Sequence, residues 1–151
     1  MDELDRNLLR ILKDDGRISF RELAHKMGVS SQTISDRIAK MVEKGIIKRF
    51  TIMVDQSEVG YPITFAVELD VDITKMEEIQ RELTLYPELH QIHVMTGDHD
   101  ILVLGVARDI THLYEIIEKR ISNIEGIRAT KTSLSLKTVK EVPKAVISNN
   151  R

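Results

Sequence analysis

Three sets of side chains in this chain have the types and spacing to do chemistry. The first is Ser30-Ser31-Gln32-Thr33-Ile34-Ser35-Asp36-Arg37, with Lys40 following. Its carboxamide can pair bidentately with adenine, its hydroxyls can bond a base or a phosphate, and Asp36 can accept from the amine of cytosine. The second is Gly97-Asp98-His99-Asp100. Gly97 permits close backbone approach, so neighbouring N–H groups can receive a carboxylate, while Asp98 or Asp100 can pair with an ammonium. The third is His90, His93, His99 and His112, which with those aspartates suggest a metal or acid–base centre. His90 and His93 are three apart on an expected strand and point to opposite faces, which argues against shared ligation. There is no cysteine, so a disulfide framework and a thiolate metal site are excluded. Nor is there a Gly-rich phosphate loop, a nucleophile elbow or a His-Glu-x-x-His pair.

The elements that must position the first set are legible around it. Leu4, Leu8, Leu9, Ile11 and Leu12 predict an amphipathic helix capped by Asp2 and stopped near Gly16. Ser19-Phe20-Arg21-Glu22 reads as a capping box, with Phe20, Leu23, Ala24 and Met27 at helical spacing and Gly28 as the left-handed terminator. Ser30 caps a third helix, with Ile34, Ile38, Met41 and Val42 inward until Gly45. Helix, short turn, helix is the geometry that projects a polar helix into a DNA major groove. Steps of about 100° per residue then place Gln32, Asp36, Ala39, Lys40 and Glu43 outward, with Ser31 and Thr33 on the first turn. Arg17, Arg21, Arg37, Lys40, Lys48 and Arg49 are candidate phosphate contacts, Arg37 alternatively structural, and Asp36 is expected to pair with a nearby arginine. The β-branched run from Ile46 to Val54 reads as a strand that forms a wing.

Asp55-Gln56-Ser57-Glu58-Val59-Gly60 is polar and Gly-ended, a hinge. Beyond it the apolar period switches to two: Ile63, Phe65, Val67, Leu69 and Val71 alternate with polar or small residues, a half-buried strand. Ile73, Met76, Ile79 and Leu83 mark a helix, 89–95 and 101–107 are strands, and Asp109 caps a helix with Leu113, Ile116, Ile117, Ile121 and Ile124 inward. Residues 127–139 predict a long final strand. The order βαββαβ specifies a ferredoxin-like sandwich, helices on one face of a four-stranded antiparallel sheet. The fold class is therefore α+β. The third strand is apolar on both sides, although the helices cover only one; a second copy of the same sheet is the expected cover. Thr130 and Thr132 place two hydroxyls on the face that Leu134 and Leu136 continue.

The net charge of −2 is unevenly spread: residues 1–54 hold 11 Lys+Arg against 8 Asp+Glu, and residues 55–151 hold 11 against 16. A basic head on an acidic body is the asymmetry of a DNA reader with an attached module. An RNA-recognition reading of the sheet fails, because it needs exposed aromatics on the central strands and only Phe65 is offered. The apolar runs are too short to span a bilayer, and the acidic start lacks a signal-peptide core, so no membrane association and a cytoplasmic location are expected.

In this order, Glu22-Leu23-Ala24, Val29-Ser30, Arg37-Ile38, Glu43-Lys44-Gly45-Ile46-Ile47 and Thr96-Gly97-Asp98-His99-Asp100 resemble the Lrp/AsnC (feast–famine) transcription regulators, archaeal members especially. The resemblance covers residues 1 to about 140. It implies a winged helix-turn-helix domain over 1–54, a hinge over 55–60, a ferredoxin-like (ACT-like, RAM) effector-binding and oligomerisation domain over 61–140, and a tail over 141–151. It further implies homodimers that assemble into octamers, double-stranded DNA as partner, an amino-acid effector and no metal or other cofactor. Thr130 and Thr132 match positions that the family uses around its ligand. With Gly97, Asp98, His99, Asp100, Gln91 and Tyr61 they make a mostly polar lining, for which glutamine is the first choice. The sirohaem decarboxylases resemble the same two-domain architecture, which leaves an enzyme as the rival reading; the retained Gln32, Lys40, Lys48 and Arg49 favour the regulator.

Overall fold

The computed structural model describes residues 1–142 and Ile147; the expected tail therefore lies largely outside the described residues. The chain divides into two compact units, the first built on Met1–Met53 and the second on Val54–Val139.

The first unit holds three helices: α1 (Glu3–Asp14), α2 (Phe20–Met27) and α3 (Ser31–Glu43). Their ends are set by local chemistry. Asp2 and Asp5 form a reciprocal capping box on α1. Ser19 accepts from the Glu22 N–H on α2, but the Glu22 carboxylate pairs with Lys26 at 3.3 Å, so that box is half formed. Gly28, at φ 66°, closes α2 with the Val29 N–H bonded back to the Ala24 carbonyl. Leu8, Ile18, Leu23, Ala24, Ile34, Ile38, Met41 and Ile47 form the core. Val42, expected inward, is 46% exposed, because Met41 already fills that turn of the buried stripe. The strand expected over 46–54 is not formed either. Among the described residues no second strand offers it hydrogen bonds, and Phe50, Ile52, Met53 and Val54 stand exposed.

The second unit begins with a turn in which Asp55 accepts from Ser57 and the Tyr61 N–H bonds the Gln56 carbonyl. Four strands follow, β1 (Ile63–Val71), β2 (Leu89–Val94), β3 (Ile101–Ala107) and β4 (Ile127–Leu134), in the all-antiparallel order β2-β3-β1-β4. Between β1 and β2 lie a 3₁₀ turn (Ile73–Lys75) and α4 (Met76–Leu83). The helix expected after Asp109 is composite: α5 (Ile110–Tyr114), a π-helical turn (Glu115–Arg120) and a 3₁₀ turn (Ile121–Asn123). All five residues expected inward there are buried, and the wide π turn carries the adjacent β-branched pair Ile116 and Ile117. β4 stops at Leu134 rather than reaching residue 139, because its partner, β1, starts at Ile63 and the ladder ends with the Ser135 N–H on the Thr64 carbonyl. Leu136 and Val139 are exposed.

The helices cover one sheet face, built from Phe65, Val67, Leu69, Val71, Ile101, Val103 and Ala107. The pairing Ala66↔Leu104 and Glu68↔Leu102 puts Ala66, Leu102, Leu104 and Val106 on the other face, where they are only half-buried.

Candidate functional site

On α3 the outward face is the one that a period of 3.6 dictates. Ser31, Gln32, Asp36, Ala39, Lys40 and Glu43 are exposed, Thr33, Ser35 and Arg37 are half-buried, and Ile34, Ile38 and Met41 are buried. Ser30 is spent on the helix itself. Its hydroxyl accepts from the Thr33 N–H at 3.0 Å and lies 2.9 Å from the Thr33 hydroxyl. Gln32 donates through Nε2 to Asp36 Oδ1 at 2.8 Å, one turn on. Asp36 is thus paired with a carboxamide, not with the arginine expected for it, since the near guanidinium is engaged elsewhere. That guanidinium is Arg37, which bonds Asp2 and, at 3.2 Å, Asp5. The bond from the Asp5 backbone N–H and the Arg37 charge hold the Asp2 carboxyl below the usual range, and Asp2 in turn raises Arg37. Arg37 is therefore a clasp between α3 and the start of α1, the structural alternative named for it beside a phosphate contact.

The remaining basic candidates differ. Arg17, Arg21, Lys40, Lys48 and Arg49 are exposed, and among the described residues none has an acidic partner. Lys44, at the C-terminal cap of α3, is exposed in the same way and was not among the sequence candidates; its only signal was a charge beside Gly45.

In the second unit the turn 96–100 closes the β2–β3 hairpin. Gly97 sits at φ 119°, and a Cβ on it would meet nothing within 4 Å, so only its backbone conformation demands glycine there. Asp98 is exposed and, among the described residues, makes no hydrogen bond or ion pair. Asp100 is committed on one side: its Oδ2 accepts from the Val71 N–H at 2.9 Å, where the β1–β4 pairing shifts register. Its own N–H bonds the Leu69 carbonyl. His99 Nδ1 lies 3.9 Å from Glu68 Oε2, and the same oxygen is 3.3 Å from Lys131 Nζ. Glu68 and Lys131 were missed in sequence because only the β1–β4 register makes them cross-strand partners.

The structure does not bring all the expected lining residues together within one chain. Thr130 and Thr132 pair with Leu69 and Val67, so they lie on the helix-covered face at the β4 edge, while Glu68, Lys131 and the His99 contact lie on the open face. Tyr61 precedes the opposite end of β1, with its ring 6.1 Å from that of His112. Gln91 is on the open face opposite Leu104, bonded to His93. Among the described residues no group of three or more His, Asp or Glu is arranged to hold a metal.

A helix-turn-helix with a polar outer face, in one chain with a helix-backed four-stranded sheet, defines a DNA-binding regulator carrying a ligand module. The sequence profile of a winged helix-turn-helix DNA-binding domain matches residues 1–48, and that of the Lrp/AsnC ligand binding domain matches residues 64–145. The HTH-type transcriptional regulator FL11 of Pyrococcus horikoshii is 33% identical over 141 residues, 93% of each chain. The structure of Escherichia coli AsnC superimposes with a TM-score of 0.87 at 27% identity, over 93% of this chain and 95% of that one. Transcriptional regulator NMB0573 of Neisseria meningitidis, solved as its L-Met complex, shares the fold with a TM-score of 0.91 at 18% identity, over 97% and 96% of the two chains. The chain belongs to the Lrp/AsnC family of transcriptional regulators.

Proposed function

We propose that this regulator reads a specific DNA sequence through α3 as a homodimer, built further into an octamer, and that a small amino acid bound near the turn 96–100 shifts that assembly. One observation carries the DNA reading: α3 presents Ser31, Gln32 and Lys40 to solvent, in the same unit as five basic side chains that no acid among the described residues neutralises. The Gln32–Asp36 bond uses one of the two Nε2 hydrogens. The other hydrogen and Oε1 stay available for N7 and N6 of an adenine, with Asp36 holding the carboxamide in place. Residues 1–54 act as the reading head, 55–60 as the hinge and 61–140 as the sensing module.

The effector reading rests on the exposed Asp98 carboxylate, the Gly97 turn backbone and the family's ligand-binding module. Because Thr130, Thr132 and Tyr61 are dispersed within one chain, a site using them together draws its walls from more than one copy. An amino acid seated between copies then stabilises one assembly over another, by as much as its affinities for the two differ. Glutamine, polar like the lining, is the first effector to try.

Binding to matched and singly mutated operator fragments tests the first part. Gln32→Ala is expected to lose about 1–3 kcal/mol of discrimination at one base pair. Lys40→Ala is expected to weaken all fragments alike and lower the salt slope by about one. Uniform loss in Gln32→Ala removes it as a reader. Light scattering with each amino acid in turn tests the second part, and an assembly state indifferent to all of them overturns it.

A further inference from the structure

We propose that the pocket between the start of β2 and the π-helical turn is a second small-molecule site, taking a zwitterion whose ammonium meets Glu88 and whose carboxylate meets Arg108 and Arg120. The pocket has a volume of about 380 Å³ and is lined by Glu88, Arg108, His112, Glu115, Lys119 and Arg120. That size lies within the usual range for small-ligand sites, about 300–1,000 Å³. It is separate from the turn 96–100: that turn abuts the Leu69–Val71 end of β1, whereas this pocket lies by Ala107, which pairs with Ile63 at the other end.

Glu88 is the reason to expect a ligand. Its Oε1 accepts from Arg120 Nη2 at 2.8 Å and from His112 Nε2 at 3.2 Å, but its Oε2 is buried with no hydrogen-bond partner. Buried polar atoms are nearly always paired, so an orphan carboxylate oxygen calls for a donor. Burial alone would raise the Glu88 carboxyl; the Arg120 bond, the residue's own backbone N–H and the Arg120 charge, with help from His112, outweigh it and hold the group anionic. His112 is locked in place, since its Nδ1 accepts from the Arg108 N–H at 3.2 Å and leaves the Nε2 hydrogen for Glu88. A second observation is independent of these bonds. Glu115, Lys119 and Arg120 all sit on the π-helical turn, a rare conformation that occurs mostly as single turns within α-helices and is frequent at functional sites.

The charge pattern selects the ligand. A lone anion would face Glu88 and Glu115, and a lone cation would face Arg108, Lys119 and Arg120. A molecule with both charges meets neither objection. The Glu88–Arg120 pair marks the edge of the site: Arg120 rests over the Tyr86 ring at 5.1 Å, with its side chain 32% exposed. An incoming ammonium donates to the unpartnered Oε2 of Glu88, while Arg120, still on Oε1, turns a remaining N–H to the carboxylate beside Arg108, which has no acidic partner among the described residues. No buried charge is left uncompensated, and the Glu88–Arg120 pair does not have to open.

The test follows the histidine ring resonances of the 151-residue chain while L-amino acids are added one at a time. His112 reports on this pocket and His99 on the turn 96–100. Saturable movement of the His112 signals is expected with at least one free amino acid. Its carboxyl amide and its N-acetyl derivative are each expected to bind at least about tenfold more weakly, as suits the loss of a charge-assisted contact. Arg108→Ala, on an exposed side chain, is expected to cause a similar loss, and Glu88→Gln, which keeps the shape, to remove the ammonium preference. Shifts confined to His99 overturn this proposal and leave the effector reading standing. Equal response to acetate or to the N-acetyl compound overturns the zwitterion, and so does a His112 response unchanged in Arg108→Ala. Silence at both histidines overturns this site and the effector site together.

Discussion

Asp100 holds two duties that one substitution would confuse. Its Oδ2 satisfies the Val71 N–H at the register shift, and in the proposed effector site its charge also meets the ammonium. Asp100→Ala is therefore expected to cost about 1–3 kcal/mol of stability, the penalty of a stranded N–H, as well as the effector response. Asp100→Asn keeps an acceptor without the charge. It should recover most of the stability in urea unfolding and still ignore the amino acid; if it responds, the charge has no part in sensing. Arg37 shows the same dependence on context. Because its bonds help to hold Asp2 in the charged form, that contribution is present at neutral pH and fades as pH falls through the lowered Asp2 range. Arg37→Gln should unfold more easily at neutral pH, and the gap to the parent chain should close in acid. A gap that persists in acid would mean that the clasp acts by packing. A structural role for Arg37 was legible in the sequence but its partner was not, since Asp2 and Arg37 stand 35 residues apart and no spacing rule joins them. Which α3 residues face outward was legible, because a helix of known start carries its own period.

Helix starts are set within four residues, so Asp2, Ser19 and Ser30 announce α1, α2 and α3 before any tertiary contact is known. Strand ends are set by the neighbour. That is why the overrun of β4 and the unpaired run 46–54 could not be foreseen: the length of the first depends on β1, and the second has no partner among the described residues. The composite helix after Asp109 escaped for a related reason. Its buried pattern fits α and π turns alike, and the Glu88 carboxylate that receives Arg120 comes from the residue just before β2. Gly105 is the element-scale position to test. A Cβ there would meet Phe65 Cζ at 2.5 Å and the Glu88 carbonyl at 3.0 Å, both fixed by the sheet and core. Gly105→Ala is expected to destabilise the second unit by about 1–3 kcal/mol through overpacking. Thermal unfolding followed by near-ultraviolet dichroism of the tyrosines, which lie in that unit, would register it.

For the whole molecule, the open sheet face decides between a lone chain and an assembly. Ala66, Leu102, Leu104 and Val106 form its apolar centre, with Glu68, Lys131, Gln91 and His93 around them. An apolar core with a polar rim is the layout of a protein interface. Its being the same surface on each copy permits a closed two-fold pair rather than an open chain of subunits. Leu104→Lys puts a charge at that centre without touching the helix-side core, so the fold should survive. Light scattering is expected to show the variant as a monomer. DNA binding should fall far more for a fragment with two half-sites than for one with a single half-site, because the second contact ceases to be intramolecular. Equal losses on both fragments would mean that the heads bind independently. A variant that stays dimeric would move the interface to the run 50–54, whose apolar side chains also stand exposed.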